Sequence, residues 1–372
     1  MTTDLFPGRK VPFLSLFIAL GLVLAGALPA VAVTPEEDPD AAAAGWLVES
    51  YDDHPDSFGF GGGAGDIAEL IFALSAAGVA GERAGGLLAD LEAAAPDYLP
   101  TGNAAIAKTL LAVLVAGGDP TDFAGTDLEA DLRDGKDDTG AFDATAFNQS
   151  LAILALAATG NGIPADAVSS LQGLACDDGG YGFDCSGGSD VDSTAMAVQA
   201  LLAADADASA AVQWLADAQE DNGSFLAFGS PSPNSTGLAA MALRAAGRTA
   251  AADAAADWMA TQQAGCDEEN AGSIASPFDG QASLEFATLQ GLLAFAAPRY
   301  DQLDLTAAAA GVPVVCAQEV ADPTTDTAGD DTLATDDDRM LADGGVPGVG
   351  LALLAALLVA GGLTLVRIRE DT

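Results

Sequence analysis

Residues 192–201, DSTAMAVQAL, are apolar nearly all the way round once their first residue is passed, and they have no charged face. A helix of that kind requires protein on both sides. Five further segments share its character: 65–74 (GDIAELIFAL), 105–114 (AIAKTLLAVL), 147–156 (FNQSLAILAL), 234–243 (NSTGLAAMAL) and 283–292 (SLEFATLQGL). Their ends step by 40, 42, 45, 42 and 49 residues, so six units repeat along the chain. The tryptophans keep the same beat, with Trp46 and Trp214 separated by 168 residues and Trp214 and Trp258 by 44. Between the apolar segments lie Ala-rich stretches such as 208–220 and 250–263, with scattered Asp and apolar residues at helical spacing, as expected of helices with one wet face.

Each unit therefore reads as an outer amphipathic helix followed by an inner apolar one. Asp192, Asn234 and Ser283 stand where N-caps belong, and Gly78, Gly117, Gly160 and Gly247 follow the helices they end. No period-two alternation is present, so the domain is expected to be all-α. The first and last inner helices are as apolar as the middle ones, whereas an open array would need polar ends. A closed (α/α)6 toroid over residues 40–300 is the expected architecture, preceded by a short extension (33–39) and followed by an exit segment (301–316).

The flanks read differently. Arg9 and Lys10 precede an apolar run over 11–28 and the triplet Ala30-Val31-Ala32, the pattern of a secretory signal over 1–32 that is cleaved before Val33. Residues 347–366 form an expected membrane span: 348–366 is uncharged and, at about 1.5 Å per helical residue, long enough to cross a bilayer. Arg367 and Arg369 follow at once, which places the tail (367–372) in the cytoplasm and the domain outside. Residues 317–346 hold eight Asp against one Arg between 322 and 343, an acidic stalk with too little apolar surface to order itself. The ending resembles the sorting signals of Gram-positive surface proteins. Leu341-Ala342-Asp343-Gly344-Gly345 stands at the motif position but lacks its Pro and Thr, so membrane tethering is the expectation and wall attachment the alternative.

Composition narrows the function. The 372 residues are 50% apolar with mean hydropathy +0.30, and 12 Lys and Arg face 55 Asp and Glu, a formal charge of −43. That charge repels a phosphate backbone and excludes nucleic-acid binding. Such acidity suits a high-GC genome or a salt-rich milieu. Four cysteines on an exported chain allow three pairings. Cys176 and Cys185 bracket one glycine-rich turn and are expected to pair, leaving Cys266 with Cys316.

Trp214-Leu215, 219–225 (QEDNGSF) with 234–236 (NST), and 178–183 (DGGYGF) with 190–195 (DVDSTA) resemble the prenyltransferase and squalene oxidase repeat. The resemblance spans about residues 40–298. It implies the toroid of terpenoid cyclases, protein prenyltransferase β-subunits and cobalamin carriers, a fold that hosts both enzymes and binders. In squalene-hopene-type cyclases the middle Asp of Asp-x-Asp-Asp-Thr-Ala protonates an alkene. Asp192 matches that acid, while Ser193 replaces the next Asp and the cyclases' second helical domain has no counterpart here. The plain alternative is that Asp192 caps a helix. Protein prenyltransferases hold zinc through Asp, Cys and His, but this chain has one histidine, His54, in the first loop. It reads as a solvated loop residue or a minor metal contributor. Corrinoid carriers have an added β domain that is absent.

A non-catalytic surface binding or interaction module is the expected function, with a terpene-cyclase-like enzyme and a small-ligand carrier as alternatives. Loops entering the inner helices carry Phe58, Phe60, Tyr98, Phe142, Tyr181, Phe183, Phe225, Phe228 and Phe278, which serve either as turn packing or as the lined mouth of a pocket for a small apolar ligand. Asp190, Tyr181, Phe183, Phe225 and Phe228 are the candidate ligand contacts there. No cofactor is required, although the carboxylates of Asp177, Asp178 and Asp184, crowded near Asp190 and Asp192, can take Ca²⁺. Closure would also bring Glu285, Glu69 and Lys108 from three neighbouring inner helices into one Glu-Lys-Glu cluster, either fixing the seam or flooring a cavity.

Overall fold

The computed structural model describes residues 31–317, and within them the fold is helical. Helices alternate in two kinds. The outer ones are α1 (Pro39–Asp53), α3 (Ala84–Tyr98), α5 (Leu128–Asp134), α7 (Ala165–Gly173), α9 (Ser209–Ala218) and α11 (Thr249–Ala260). The inner ones are α2 (Ala64–Ala77), α4 (Asn103–Val115), α6 (Ala146–Thr159), α8 (Val191–Ala203), α10 (Pro233–Ala245) and α12 (Gln281–Gly291), the last continued by the short α13 (Leu293–Ala296). Strand is confined to two-residue pieces: β1 (Ala32–Val33) runs parallel to β4 (Val314–Val315), and β2 (Leu226–Ala227) pairs antiparallel with β3 (Ser230–Pro231).

The contrast between the ranks follows from composition. Helix α10 buries every residue from Ser235 to Leu243, whereas α9 buries only Ala211, Val212 and Leu215. Inner helices pack in succession, α2 on α4, α4 on α6, α6 on α8, α8 on α10 and α10 on α12, and α12 then packs on α1 and α2, where the series began. Close approach is needed at α10 and α12, where a Cβ on Gly237 would collide with the carbonyl of Gln290. Left-handed Gly78 and Gly160 end α2 and α6 as C-caps. Two starts differ from the sequence reading. Asp190, not Asp192, caps α8 by accepting from the Ser193 N–H, and Ser232, not Asn234, caps α10 through Ser235. The third, α12, follows Gly280 and has no side-chain cap from Ser283.

After α13 the chain crosses the C-terminal ends of the inner helices. Tyr300 is buried edge-on against Phe72 at 5.4 Å, and its N–H donates to Gln199 Oε1 of α8. Leu303 and Leu305 are buried, and Ala309 N–H then donates to the Gly78 carbonyl. The segment turns outward over α1, where Gly45 leaves room for the Pro313 carbonyl. This covering explains why α1, an outer helix, is buried along most of its length.

Cys176–Cys185 and Cys266–Cys316 are both disulfide-bonded. The expected stalk, span and tail lie outside the described residues, as does the expected leader up to residue 30. Val31 and Val33, on either side of the expected cleavage point, accept from Val314 and Cys316. Among the described residues no helix is long and apolar enough to cross a membrane.

The sequence separations of the disulfides, 50 and 9 residues, set their relative worth. Loop-closure entropy predicts that removing Cys266–Cys316 by Cys316→Ser costs about 1.5 kcal/mol more than removing Cys176–Cys185 by Cys185→Ser. Denaturant unfolding of the two variants measures the difference.

Candidate functional site

A cavity of ≈ 160 Å³ lies among the inner helices, bounded by α2, α4, α6, α8 and α12. Its mouth is formed by the N-terminal residues Gly102 to Ala105 of the α4 entry and by Asp143, Phe147 and Asn148 at α6. Glu69, Lys108, Leu151 and Met196 stand deeper. Each lies five or six residues before the end of its apolar segment, so the repeat itself puts them in one layer. Tyr98 at the end of α3 and Tyr300 of the crossing segment complete the lining, together with Phe72 and Gln290.

Within the cavity wall Lys108 Nζ meets Glu69 Oε1 at 2.6 Å, and both residues are only 7% exposed. Burial alone would lower the lysine's proton affinity, but Glu69 above all, then Tyr98 and Asp66, holds it above its ordinary range, and the ammonium stays charged. Burial likewise pushes the phenols of Tyr98 and Tyr300 upward. Glu69 adds to both shifts, and Asp192 adds to that of Tyr300. A buried ion pair is rarely a net source of stability, since desolvation offsets most of its attraction. Its distinguishing feature is its place in the cavity wall.

Asp192 is the second notable charge. The cap position belongs to Asp190, whose oxygens accept from the Ser193 N–H and hydroxyl, and Asp192 stands in the first turn of α8. Its Oδ1 is buried without a hydrogen-bond partner. Burial pushes the carboxyl up to about 6, despite a lowering influence from the Ser235 hydroxyl and with a further rise from Asp190. Met196, one turn further along α8, lines the cavity, as does Tyr300, but Asp192 itself does not.

The expected Glu-Lys-Glu cluster is corrected. Lys108 pairs with Glu69, while fully buried Glu285 turns the other way, toward α1. Glu285 Oε1 accepts from the Ser50 hydroxyl at 2.6 Å and lies 2.6 Å from His54 Nε2, and Oε2 accepts from the Gly59 N–H at 2.6 Å. Gln281 Nε2 donates to both Ser50 Oγ and Glu285 Oε1. His54 is thus no solvated loop residue. The set is also no serine nucleophile relay, because one imidazole nitrogen faces both hydroxyl and carboxylate instead of standing between them. It is a clamp joining the last inner helix to the first repeat.

The loop aromatics divide. Phe58, Phe142, Tyr181 and Phe225 are buried turn packing, and Phe60, Phe183, Phe228 and Phe278 are exposed, Phe228 by 85% at the tip of the β2–β3 hairpin. Of the nine, Tyr98 alone lines the cavity. Tyr181, Phe183, Phe225 and Phe228 therefore do not touch it, and neither does Asp190. The acidic loop does not gather into a metal site. Asp178 accepts from Gly180 N–H, Ser189 and Trp214 Nε1, and Asp184 accepts from Ser186. Among the described residues no group of three or more His, Cys, Asp or Glu side chains is placed to hold a metal ion.

Of the lining, Glu69, Lys108 and Tyr98 are the residues that the sequence itself points to. Met196 and Leu151 were recoverable from their register with Glu69. Tyr300 was not, because nothing periodic ties the crossing segment to the layer. No protein-family model matches the chain, and no curated protein matches it.

Two outcomes follow from this geometry. Glu285→Ala leaves a buried hydroxyl and a buried N–H unpaired and should cost about 3 kcal/mol of unfolding free energy, with Glu285→Gln costing less. Asp192 has a raised carboxyl, so the folded state binds its proton more tightly than the unfolded one. Stability is then greatest below the ordinary value of 3.8 and falls as pH rises toward about 6. Asp192→Asn should remove up to about 3 kcal/mol of that fall. Asp40, also pushed up to about 6 by burial and by Asp38, keeps its own share of the same slope. Urea unfolding at a series of pH values separates the two.

Proposed function

We propose that this chain is an exported, membrane-tethered (α/α)6 toroid of the prenyltransferase and squalene oxidase repeat type that binds a small polar ligand in its centre without transforming it. The observation that carries the binding reading is the ≈ 160 Å³ cavity with the Lys108–Glu69 pair in its wall. The return of α12 to α1 and α2 and the six outer-inner pairs support the toroid. Two disulfides agree with an oxidising setting, and with it export. Sites for drug-sized ligands run to roughly 300–1,000 Å³. The cavity is smaller, which favours a compact polar molecule over a long isoprenoid and weakens the apolar-ligand expectation.

A second reading, an acid-initiated cyclase using Asp192, draws support from the unpartnered Oδ1 of that residue. Loss of turnover of an isoprenoid in Asp192→Asn, with the fold intact, would establish it.

Native mass spectrometry of the full chain, extracted from its host in mild detergent, tests the binding reading. One small molecule per chain is expected, and it should be lost in Ala104→Trp, which fills the cavity mouth, while circular dichroism stays unchanged. A chain that carries no adduct, and whose melting temperature no small polar compound raises more than it raises that of Ala104→Trp, would overturn the reading.

A further inference from the structure

The charged lining of the cavity is a matched pair with one further carboxyl at the mouth. Lys108 Nζ and Glu69 Oε1, at 2.6 Å, neutralise one another, and both residues are more than nine-tenths buried. Asp143, at the mouth, accepts through Oδ1 from the N–H and hydroxyl of Thr145. With the chain charge of −43 behind it, this wall repels an anion on approach, and its one cation is already paired. An organic cation fares no better, because the Glu69 carboxylate it would need has the Lys108 ammonium beside it. What the lining does hold is hydrogen-bonding capacity of both signs. Glu69 Oε1 takes one of the three N–H donors of Lys108, and Glu69 keeps a second oxygen. Asn103 Nδ2 is committed to the carbonyls of Gly135 and Phe142, which leaves its Oδ1 to accept, and Gln290 Oε1 receives Asn234 Nδ2, which leaves its amide nitrogen to donate. Tyr98 and Tyr300 make their bonds through the main chain, and among the described residues neither phenol oxygen has a partner. A hydroxyl group donates and accepts through the same atom, so several of them on one carbon frame match this inventory, whereas an ammonium group only donates and a carboxylate only accepts.

We propose that the cavity binds a neutral polyol, a sugar alcohol or monosaccharide, with its hydroxyls on Lys108, Glu69 and the phenols of Tyr98 and Tyr300. This rests on the binding reading above and adds its ligand class. The ≈ 160 Å³ equals the volume of about five waters at roughly 30 Å³ each, and a short chain or single ring of carbinol groups replaces them hydroxyl for water. Phe147, in the lining at the α6 entry, supplies an electron-rich ring face for the C–H groups of such a frame. The Lys108–Glu69 pair then has a use apart from stability. Its charged atoms make stronger hydrogen bonds to hydroxyls than neutral partners do, and their mutual neutralisation asks no charge of the guest.

Isothermal titration calorimetry on the full chain, held in a polyoxyethylene detergent without sugar headgroups, tests the class with glycerol, xylitol, glucose and myo-inositol against cyclohexanol and glycine betaine. At least one of the polyols should bind at least about tenfold more tightly than cyclohexanol, which has a single hydroxyl, and than glycine betaine, which is zwitterionic. An adduct on the extracted chain should fragment as a polyol. The double variant Glu69→Leu/Lys108→Met, which replaces the pair by apolar side chains of similar volume, should keep the melting temperature and weaken that polyol by at least about tenfold. Tyr98→Phe, which deletes one phenol oxygen and keeps the ring, should weaken it about fivefold and carries the test if the double variant does not fold. Equal affinity for cyclohexanol, or polyol binding that the folded variants leave unchanged, would overturn the ligand class. Binding of glycine betaine in place of the polyols, lost in Ala104→Trp, or an adduct without a polyhydroxyl frame would do the same while leaving the binding reading in force. Absence of binding by all these compounds, together with no adduct on the extracted chain, would bring down both.

Discussion

The inner helices have no side to turn toward water, and the rest of the structure answers to that constraint. A helix such as α10, buried from Ser235 to Leu243, needs neighbours on two flanks and an outer helix behind. Five successive contacts satisfy the middle of the series, but the first and sixth inner helices each lack a partner until they find one another. The buried Glu285 carboxylate holds that meeting through Ser50, His54 and the Gly59 N–H. A carboxyl so placed is tolerated because the Ser50 hydroxyl, the Gly59 N–H and Gln281 Nε2 all donate to it. Among apolar helices of near-identical character, it also distinguishes the correct partner from its lookalikes.

Three acids of the inner helices meet different fates. Glu69 is matched by Lys108, one repeat later, and Glu285 by the first loop, so both are satisfied. Asp192 is not. Its neighbour Asp190 takes the capping role, and one Asp192 oxygen is left buried without a partner. Natural folds seldom keep such an atom without reason. Met196, one turn along α8, lines the cavity, whereas Phe183, Phe225 and Phe228 of the outer loops do not.

Much of this was legible from residue spacing. The apolar segments, their period near 42 and the two disulfides were all within reach, because periodicity and cysteine pairing are local or repetitive signals. What failed were choices between near-equivalent positions. Asp190 and Asp192 both suit a helix start, and only backbone geometry separates cap from first turn. Glu285 could have faced Lys108 or His54 with equal logic, since a helix pattern fixes spacing and not rotation about the axis. The loop aromatics failed for a related reason: Phe225 and Phe228 lie three residues apart, yet one is fully buried and the other almost bare. Tyr300 entered from a segment with no repeat to index it.

The same stretch of chain that supplies Tyr300 to the cavity ends at Cys316, bonded to Cys266. Any mechanical load arriving from beyond residue 317 reaches that covalent bridge before it reaches the tyrosine. A pull applied at residue 317 is thereby shunted into the loop ahead of α12, and the Tyr300 side of the cavity is insulated from it.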